Sequence, residues 1–378
     1  MTVDVVVIGL GAMGSAAVCH LARRGVRVLG IERFAPGHDL GSSHGKSRII
    51  RLGYFEHPSY VPLLRHTYKL WHELEAASGR KLIHTTGIVE IGAPDSGLIE
   101  GTLASSRLHD LPHEVIDAKT VMQRFPAFRL PADFVGVMQP DGGYIAAESA
   151  IDVQLTLAKA AGAQLRHGET VTAIEPRPNG VRVITDRGVL DADRAIVVAG
   201  PWVKTLLPDL AVPLRVTRQQ LAWFDPLDKS LFQQDKFPVF MLETEHGIHY
   251  GFPLQGEGGE AGVKIAKHHH ADETVEVETC DRTFSAVDEA MIRSAMADHL
   301  PAANGRLLAS KTCLYTMTPD GHFLIDHYPG APQIIVASPC SGHGFKFSPV
   351  IGEVLADLAA TGATRHDIGR FRLARFAA

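Results

Sequence analysis

The chain has 378 residues, more than one hydrophobic core usually serves, so two domains or one interleaved pair are expected. Its 45% hydrophobic content suits a soluble globular protein, and no apolar run reaches the ~18 residues of a membrane-spanning helix. A net charge of −5 gives no nucleic-acid footprint, and four scattered cysteines without a C-x-x-C pair indicate neither a disulfide framework nor a zinc site, which fits a reducing cytoplasm.

The first stretch, Val3 to Glu32, organises the rest. Val5, Val6, Val7 and Ile8 form an apolar run bounded by glycine, which predicts a buried strand. Gly9, Gly11 and Gly14 follow in G-x-G-x-x-G spacing. The segment Ala12 to Arg24 reads as a helix stopping at Gly25, and Val26 to Ile31 as a second strand with Glu32 at its end. In such a unit the glycines allow the tight turn, the approach of backbone to a pyrophosphate, and close helix packing. The pyrophosphate faces the helix N-terminus, and the acid meets the ribose hydroxyls. This predicts a dinucleotide site for FAD or NAD rather than NADP; the stretch alone does not choose between them. No basic leader precedes the apolar run, so a signal peptide is not expected.

The loop GHDLGSSHGKSRIIR (Gly37 to Arg51) gathers His44, Lys46, Arg48 and Arg51. Ile49 and Ile50 suggest partial burial, and a buried guanidinium needs an anionic partner, so a cofactor or substrate contact is expected. Tyr60 to Ala77 reads as an amphipathic helix. From Leu82 to Tyr144 the elements are short and proline-rich, with a strand at Gly87 to Ile91 and a helix capped by Asp117. Helical periodicity returns at Glu148 to Ala163. Strands then follow at Glu169 to Ile174, Val181 to Thr185 and Arg194 to Val198, the last running into Gly200. Leu214 to Phe224, Val239 to Leu242, Ile248 to Phe252 and Gly262 to Lys267 read as an antiparallel sheet. Ser285 and Asp288 stand in capping-box spacing at the head of a helix to Leu300. A strand at Gln333 to Ala337 precedes the glycine-rich turn of SGHGFKFSPVIGEVLADLAATG, which puts a second helix N-terminus near the cofactor. His268, His269 and His270, taken as strand residues, would point to alternating faces, so no metal is expected.

Together VVVIGLGAMGSAA, GSSHGKSRIIR, YGFP, GVKIAKH, CLYTMTPDGHFLID and SGHGFKFS span nearly the whole chain. In that order they resemble the monomeric sarcosine oxidase and N-methyltryptophan oxidase family, within the D-amino-acid oxidase structural group. The resemblance implies an α/β fold, a Rossmann-like FAD-binding domain interleaved with an antiparallel-sheet substrate domain. The expected FAD domain is 1–81, 145–213 and 307–378; the expected substrate domain is 82–144 and 214–306. Cys313 matches the cysteine joined through a thioether to FAD. Arg51 and Lys346 match the pair that holds the substrate carboxylate, and Lys264 the lysine that promotes reaction with oxygen. Tyr250, His268, Tyr315 and His343 match cavity residues, and Arg48 and His44 residues near the flavin ring. Gly200, Gly342, Gly344 and Phe345 are expected at the cofactor.

The implied reaction is oxidation of a secondary (N-methyl) amino acid such as sarcosine, with oxygen as acceptor, by a cytoplasmic monomer with no nucleic-acid or membrane partner. N-methyl-L-tryptophan, pipecolate, proline or a sugar-modified amino acid are the alternative substrates. Two departures bear on that choice: many relatives carry an acid where Lys46 stands, and the loop Leu254 to Gly262 is longer. Three other readings remain: a flavin dehydrogenase passing electrons to another acceptor, a non-catalytic flavin subunit, and an NAD-dependent dehydrogenase. The last leaves Cys313 and the SGHGFKF turn without roles.

Overall fold

The apolar N-terminal run forms the strand Val3–Ile8, parallel to Val28–Glu32 on one side and to Gly188–Val197 on the other. This is a computed structural model, which describes residues 3–256 and 261–376. Residues 257–260, the middle of the long loop, lie outside the described residues. The parallel sheet extends through Gln164–His167 beside Val28–Glu32 and through Ala331–Ser338 beside Gly188–Val197. Covered on both faces, its central strand needs apolar side chains at successive positions, and Val5 to Ile8 are all buried. The helix Ala12–Arg23 packs against Ala147–Ala160 and Ser348–Thr361, so early, middle and late segments build one layer. Gln164–His167 falls just past the predicted helix; its alternating exposure marks an edge strand that the sequence reading passed over.

The second sheet runs in the order Leu307–Met317, Arg215–Phe224, Val263–Lys267, Gly247–Gly251, Val239–Thr244, Ile88–Gly92, Val135–Gln139, Glu114–Asp117. It departs from expectation in two ways. It is mixed, because Val239–Thr244 runs parallel to Ile88–Gly92. A parallel neighbour needs a long crossover, and some 150 residues of chain separate these strands, which local patterns do not reveal. In addition, Leu307–Met317, read with the cofactor domain, pairs along its length with Arg215–Phe224. The strand bearing Cys313 therefore belongs to the second sheet. A small third sheet joins Ser47–Ile50, Gly143–Ala146 and Ile83–Thr85, so the end of the basic loop is a strand.

The capping box forms as expected, with Ser285 N donating to Asp288 Oδ2 at 2.8 Å and Asp288 N to Ser285 Oγ at 3.2 Å. Asp288 does more than cap. It receives Arg218 Nη1 at 3.0 Å and Nη2 at 2.8 Å, and His270 Nε2 at 2.9 Å. The three histidines are not strand residues: the strand ends at Lys267, and His269 has φ 57° in the following turn. The alternating-face argument therefore does not apply to them. Burial alone would raise the Asp288 pKa, but the bonds from Arg218 and Ser285 outweigh it and hold the carboxyl well below the usual range. A depressed carboxylate stabilises the fold above the ordinary aspartate pKa and loses that contribution as pH falls through its folded value. Asp288→Asn, which strands Arg218, is expected to lower stability by about 3 kcal/mol at pH 7. Denaturant melts should show that gap narrowing in strong acid. Among the described residues, no helix is long and apolar enough to cross a membrane.

Candidate active site

The glycine turn is shaped by two close approaches. Gly9 has φ 96°, and a Cβ there would lie 2.7 Å from Val198 O. A Cβ on Gly14 would lie 1.8 Å from Gly9 O, so the helix sits directly on the turn. Gly11 is the helix N-cap and brings no side-chain cap. Glu32 lines the cavity beside the turn and also braces it: Oε2 accepts Leu10 N at 2.8 Å and Oε1 accepts Phe34 N at 3.1 Å.

From this turn a single cavity of about 790 Å³ runs between the two main sheets. Its size is within the usual range for ligand sites. Gly9, Gly11, Glu32 and Gly200 line one part. Arg48, Cys313, Gly342, Gly344 and Phe345 line the wall further along. Arg51, Lys346, Tyr250, His268, Tyr315 and His343 line it as well. Gly14, His44 and Lys264 are not on the surface of the cavity; they support it from behind.

Arg48 spans the middle. Its Nη2 donates to Ser42 O at 3.0 Å and lies 3.7 Å from Cys313 Sγ, and its guanidinium sits 5.7 Å from the Phe345 ring. The preceding turn is fixed by Glu148, which accepts Gly45 N at 2.8 Å and Lys46 N at 3.0 Å. Lys46 adopts φ 68° there. Lys264 is 1% exposed, and its Nζ donates to Gly45 O at 2.7 Å, Ser47 O at 2.8 Å and Ser47 Oγ at 3.3 Å. Burial, with Arg48 beside it, pulls its pKa well below the usual lysine range, while three oxygens accept every proton of the ammonium. His44 is buried with neither ring nitrogen hydrogen-bonded, and burial plus Arg48 bring its pKa down to about 3.

Elsewhere on the wall, Lys346 Nζ donates to His343 O at 2.8 Å and lies 5.1 Å from the Tyr54 ring. Burial and then Arg51 lower its pKa to about 7. His343 is neutral: burial takes its pKa down to about 4, Nδ1 pairs with Tyr54 OH at 2.7 Å and Nε2 with Gly321 O at 3.0 Å. His268 is likewise pushed well below the usual range by burial, and its Nδ1 is 3.5 Å from Tyr315 OH. Sequence reasoning missed the anions. Arg51 Nη2 meets Glu56 at 2.8 Å and Nη1 lies 3.3 Å from Glu90. A buried arginine demands such partners, but nothing local says which acids supply them.

The model of FAD-dependent oxidoreductases named DAO matches residues 4–358. The chain belongs to the DAO family of FAD-dependent oxidoreductases. It is 43% identical to a monomeric sarcosine oxidase of Streptomyces avermitilis, covering 100% of this chain and 98% of that protein. It is 35% identical to an N-methyl-L-tryptophan oxidase of Yersinia pestis, with 100% of each covered. Among solved structures, NikD, an unusual amino acid oxidase essential for nikkomycin biosynthesis, matches with a TM-score of 0.87 and 30% identity, covering 98% and 97% of the two chains.

The residues fit the family's cofactor. The turn at Gly9 leaves no room for a side chain, the helix N-terminus behind it has no cap from Gly11 and only Ala12 N reaching Ser43 Oγ at 3.2 Å, and Ser42 Oγ is buried without a partner on the same wall as Cys313. Such features suit a phosphate-bearing, hydrogen-bonding ligand.

Proposed function

We propose that this chain is an FAD-dependent oxidase of secondary N-methyl amino acids such as sarcosine, acting as a cytoplasmic monomer. The observation that carries the reading is one cavity lined together by the dinucleotide turn, Cys313 and the cation pair Arg51–Lys346. FAD, when bound, supplies the two-electron oxidation of the substrate C–N bond with oxygen as final acceptor. The balance is a secondary N-methyl amine, oxygen and water giving the primary amine, formaldehyde and hydrogen peroxide.

Gly9, Gly11 and Glu32 hold the dinucleotide, and Cys313 Sγ holds the ring system covalently. Arg51 and Lys346 take the substrate carboxylate, since two cations on one anion fix its position as well as its charge. Tyr250, Tyr315, His268 and His343 shape the space around the nitrogen. The two histidines add no charge there, because burial keeps both neutral. Arg48, Arg51 and Lys346 together favour the uncharged substrate amine, whose lone pair the oxidation needs.

The covalent bond gives a direct test. Acid precipitation of purified protein should leave the yellow colour in the pellet, and Cys313→Ser should release it to the supernatant. Colour in the wild-type supernatant would remove the assignment. A panel of sarcosine and N-methyl-L-tryptophan, scored by peroxide formed per substrate consumed, tests the oxidase reading; consumption without peroxide would refute it.

A further inference from the structure

Arg51 is gripped by two carboxylates that differ in freedom. Glu56 stands in the loop after the guanidinium's own strand, lines the cavity and keeps its side chain 14% exposed. Glu90 lies in the middle of the strand Ile88–Gly92 with its side chain fully buried. Gln139, on the adjacent strand, donates Nε2 to Glu90 Oε2 at 2.6 Å and accepts Gly53 N on Oε1 at 2.6 Å. Rotation about side-chain bonds can carry Glu56 away. Glu90 cannot leave without breaking the sheet.

Between two carboxylates, Arg51 has no net charge to offer a third. A ligand carboxylate that pushes Glu56 aside brings one more anion to the cluster, since Glu56 stays ionised on the same cavity wall, and it still shares the guanidinium with Glu90. Lys346 is a second cation that interacts with Glu90, and the residues paired with Glu90 across the sheet, Val137 and Met241, are apolar. Two buried anions on one cation are costly, and a proton on one of them removes the conflict. Glu90 Oε1 lies near Arg51 Nη1 but accepts no hydrogen bond, so it is the open position for that proton.

We propose that Glu90 is the proton acceptor coupled to ligand binding: a carboxylate ligand that replaces Glu56 on Arg51 draws one proton from solvent onto Glu90. The inference rests on Arg51 being the carboxylate anchor. The charges facing the pair support it. Burial brings Glu90 up to about 7, with Arg51 opposing, so it is poised to titrate near neutrality. For Glu56, burial is outweighed by Arg51, His343 and Lys346, which hold it down at about 2, so it stays an anion and must move instead. Lys346, near 7 as well, also gains a proton when an anion arrives. Both protonations favour the bound state, so ligand affinity falls as pH rises through this range, with Glu90 contributing one of two protons.

The test uses purified holoenzyme and propionate, which has the carboxylate and no oxidisable amine, read by perturbation of the visible spectrum from pH 6 to 9. In wild type, affinity should fall by about a hundredfold or more across that range, and in Glu90→Gln by about tenfold less, with tighter binding than wild type at pH 9. Indicator-dye measurement in weak buffer should show fewer protons taken up per propionate by the variant. Equal pH slopes and equal proton uptake overturn the proposal. If Glu90→Gln does not fold, Gln139→Leu serves. It removes the donor that steadies the Glu90 charge, so the fall in affinity should shift to higher pH, and an unshifted profile is again refuting. Propionate that fails to bind wild type, or binds Arg51→Ala equally well, overturns the anchor reading itself.

Discussion

Lys264→Met is expected to slow the oxygen half-reaction at least about a hundredfold while changing the substrate half-reaction only modestly. The reason is the position of the ammonium. It is buried, fixed by three oxygens of residues 45–47, and next to Arg48 on the cavity wall. Transfer of one electron to oxygen creates an anion, and a preorganised cation in a dry site lowers such a barrier by about 3 kcal/mol or more. Methionine keeps much of the volume and removes the charge. Arg51→Ala should show the opposite split, with the substrate half-reaction impaired and the oxygen half-reaction largely intact. Stopped-flow traces of the two half-reactions separate these outcomes. Equal slowing of both by Lys264→Met would make the lysine a support for the Gly45–Ser47 turn and nothing more.

Gly344→Ala is expected to be the most damaging single-methyl change in the site. A Cβ there would lie 1.7 Å from Pro339 O and 2.7 Å from the carbonyl carbon behind it, and both are backbone atoms. The turn must open, at a cost of about 3 kcal/mol or more. It leads straight into Lys346 and the helix Ser348–Thr361, so the cavity wall around Lys346 shifts with it. Thermal melts and the ratio of visible to ultraviolet absorbance should both fall. Gly97→Ala, where nothing lies within 4 Å of the added methyl, is the control. A Gly344→Ala protein with wild-type melting and cofactor content would contradict the packing described.

Much of the cofactor half was legible because its signals are local. Gly9, Gly11, Gly14 and Glu32 lie within one strand–turn–helix–strand unit, and the capping pair Ser285–Asp288 lies within one helical turn. What escaped was non-local. Glu90 reads as an ordinary alternating residue of GIVEIG, and its partner Arg51 follows the last residue of a strand in another sheet. The strand Leu307–Met317 has the same apolar texture in either domain, and only its register with Arg215–Phe224 assigns it. Glu56 stands in a loop, and nothing in the neighbouring sequence marks it as a partner of Arg51. The histidine triplet was misread because a strand continued three residues too far looks identical in sequence to a strand that ends at Lys267. The family resemblance supplied the roles of Cys313, Lys264 and Lys346; as bare residues they would have passed for a buried thiol and two lysines.

The interleaving of the parallel sheet also sets the order in which the chain can complete itself during synthesis. Val5 pairs with Val28 on one side, a partner available almost at once, and with Arg194 on the other. At about 5–20 residues per second, that second partner leaves the ribosome on the order of ten seconds later or more. Gly180–Thr185 covers the first half of the outer edge of Gly188–Val197 at once, but residues 195–197 must wait for Ala331–Ser338. For about half of translation the central strand therefore presents an apolar, unpaired edge, the kind of surface that invites association between nascent chains. The second sheet lacks its outer strand until Met317 has been made and the first lacks Ala331–Ser338 until Ser338, so crowding on the ribosome, more than final stability, is the step at which overproduction of this chain should fail.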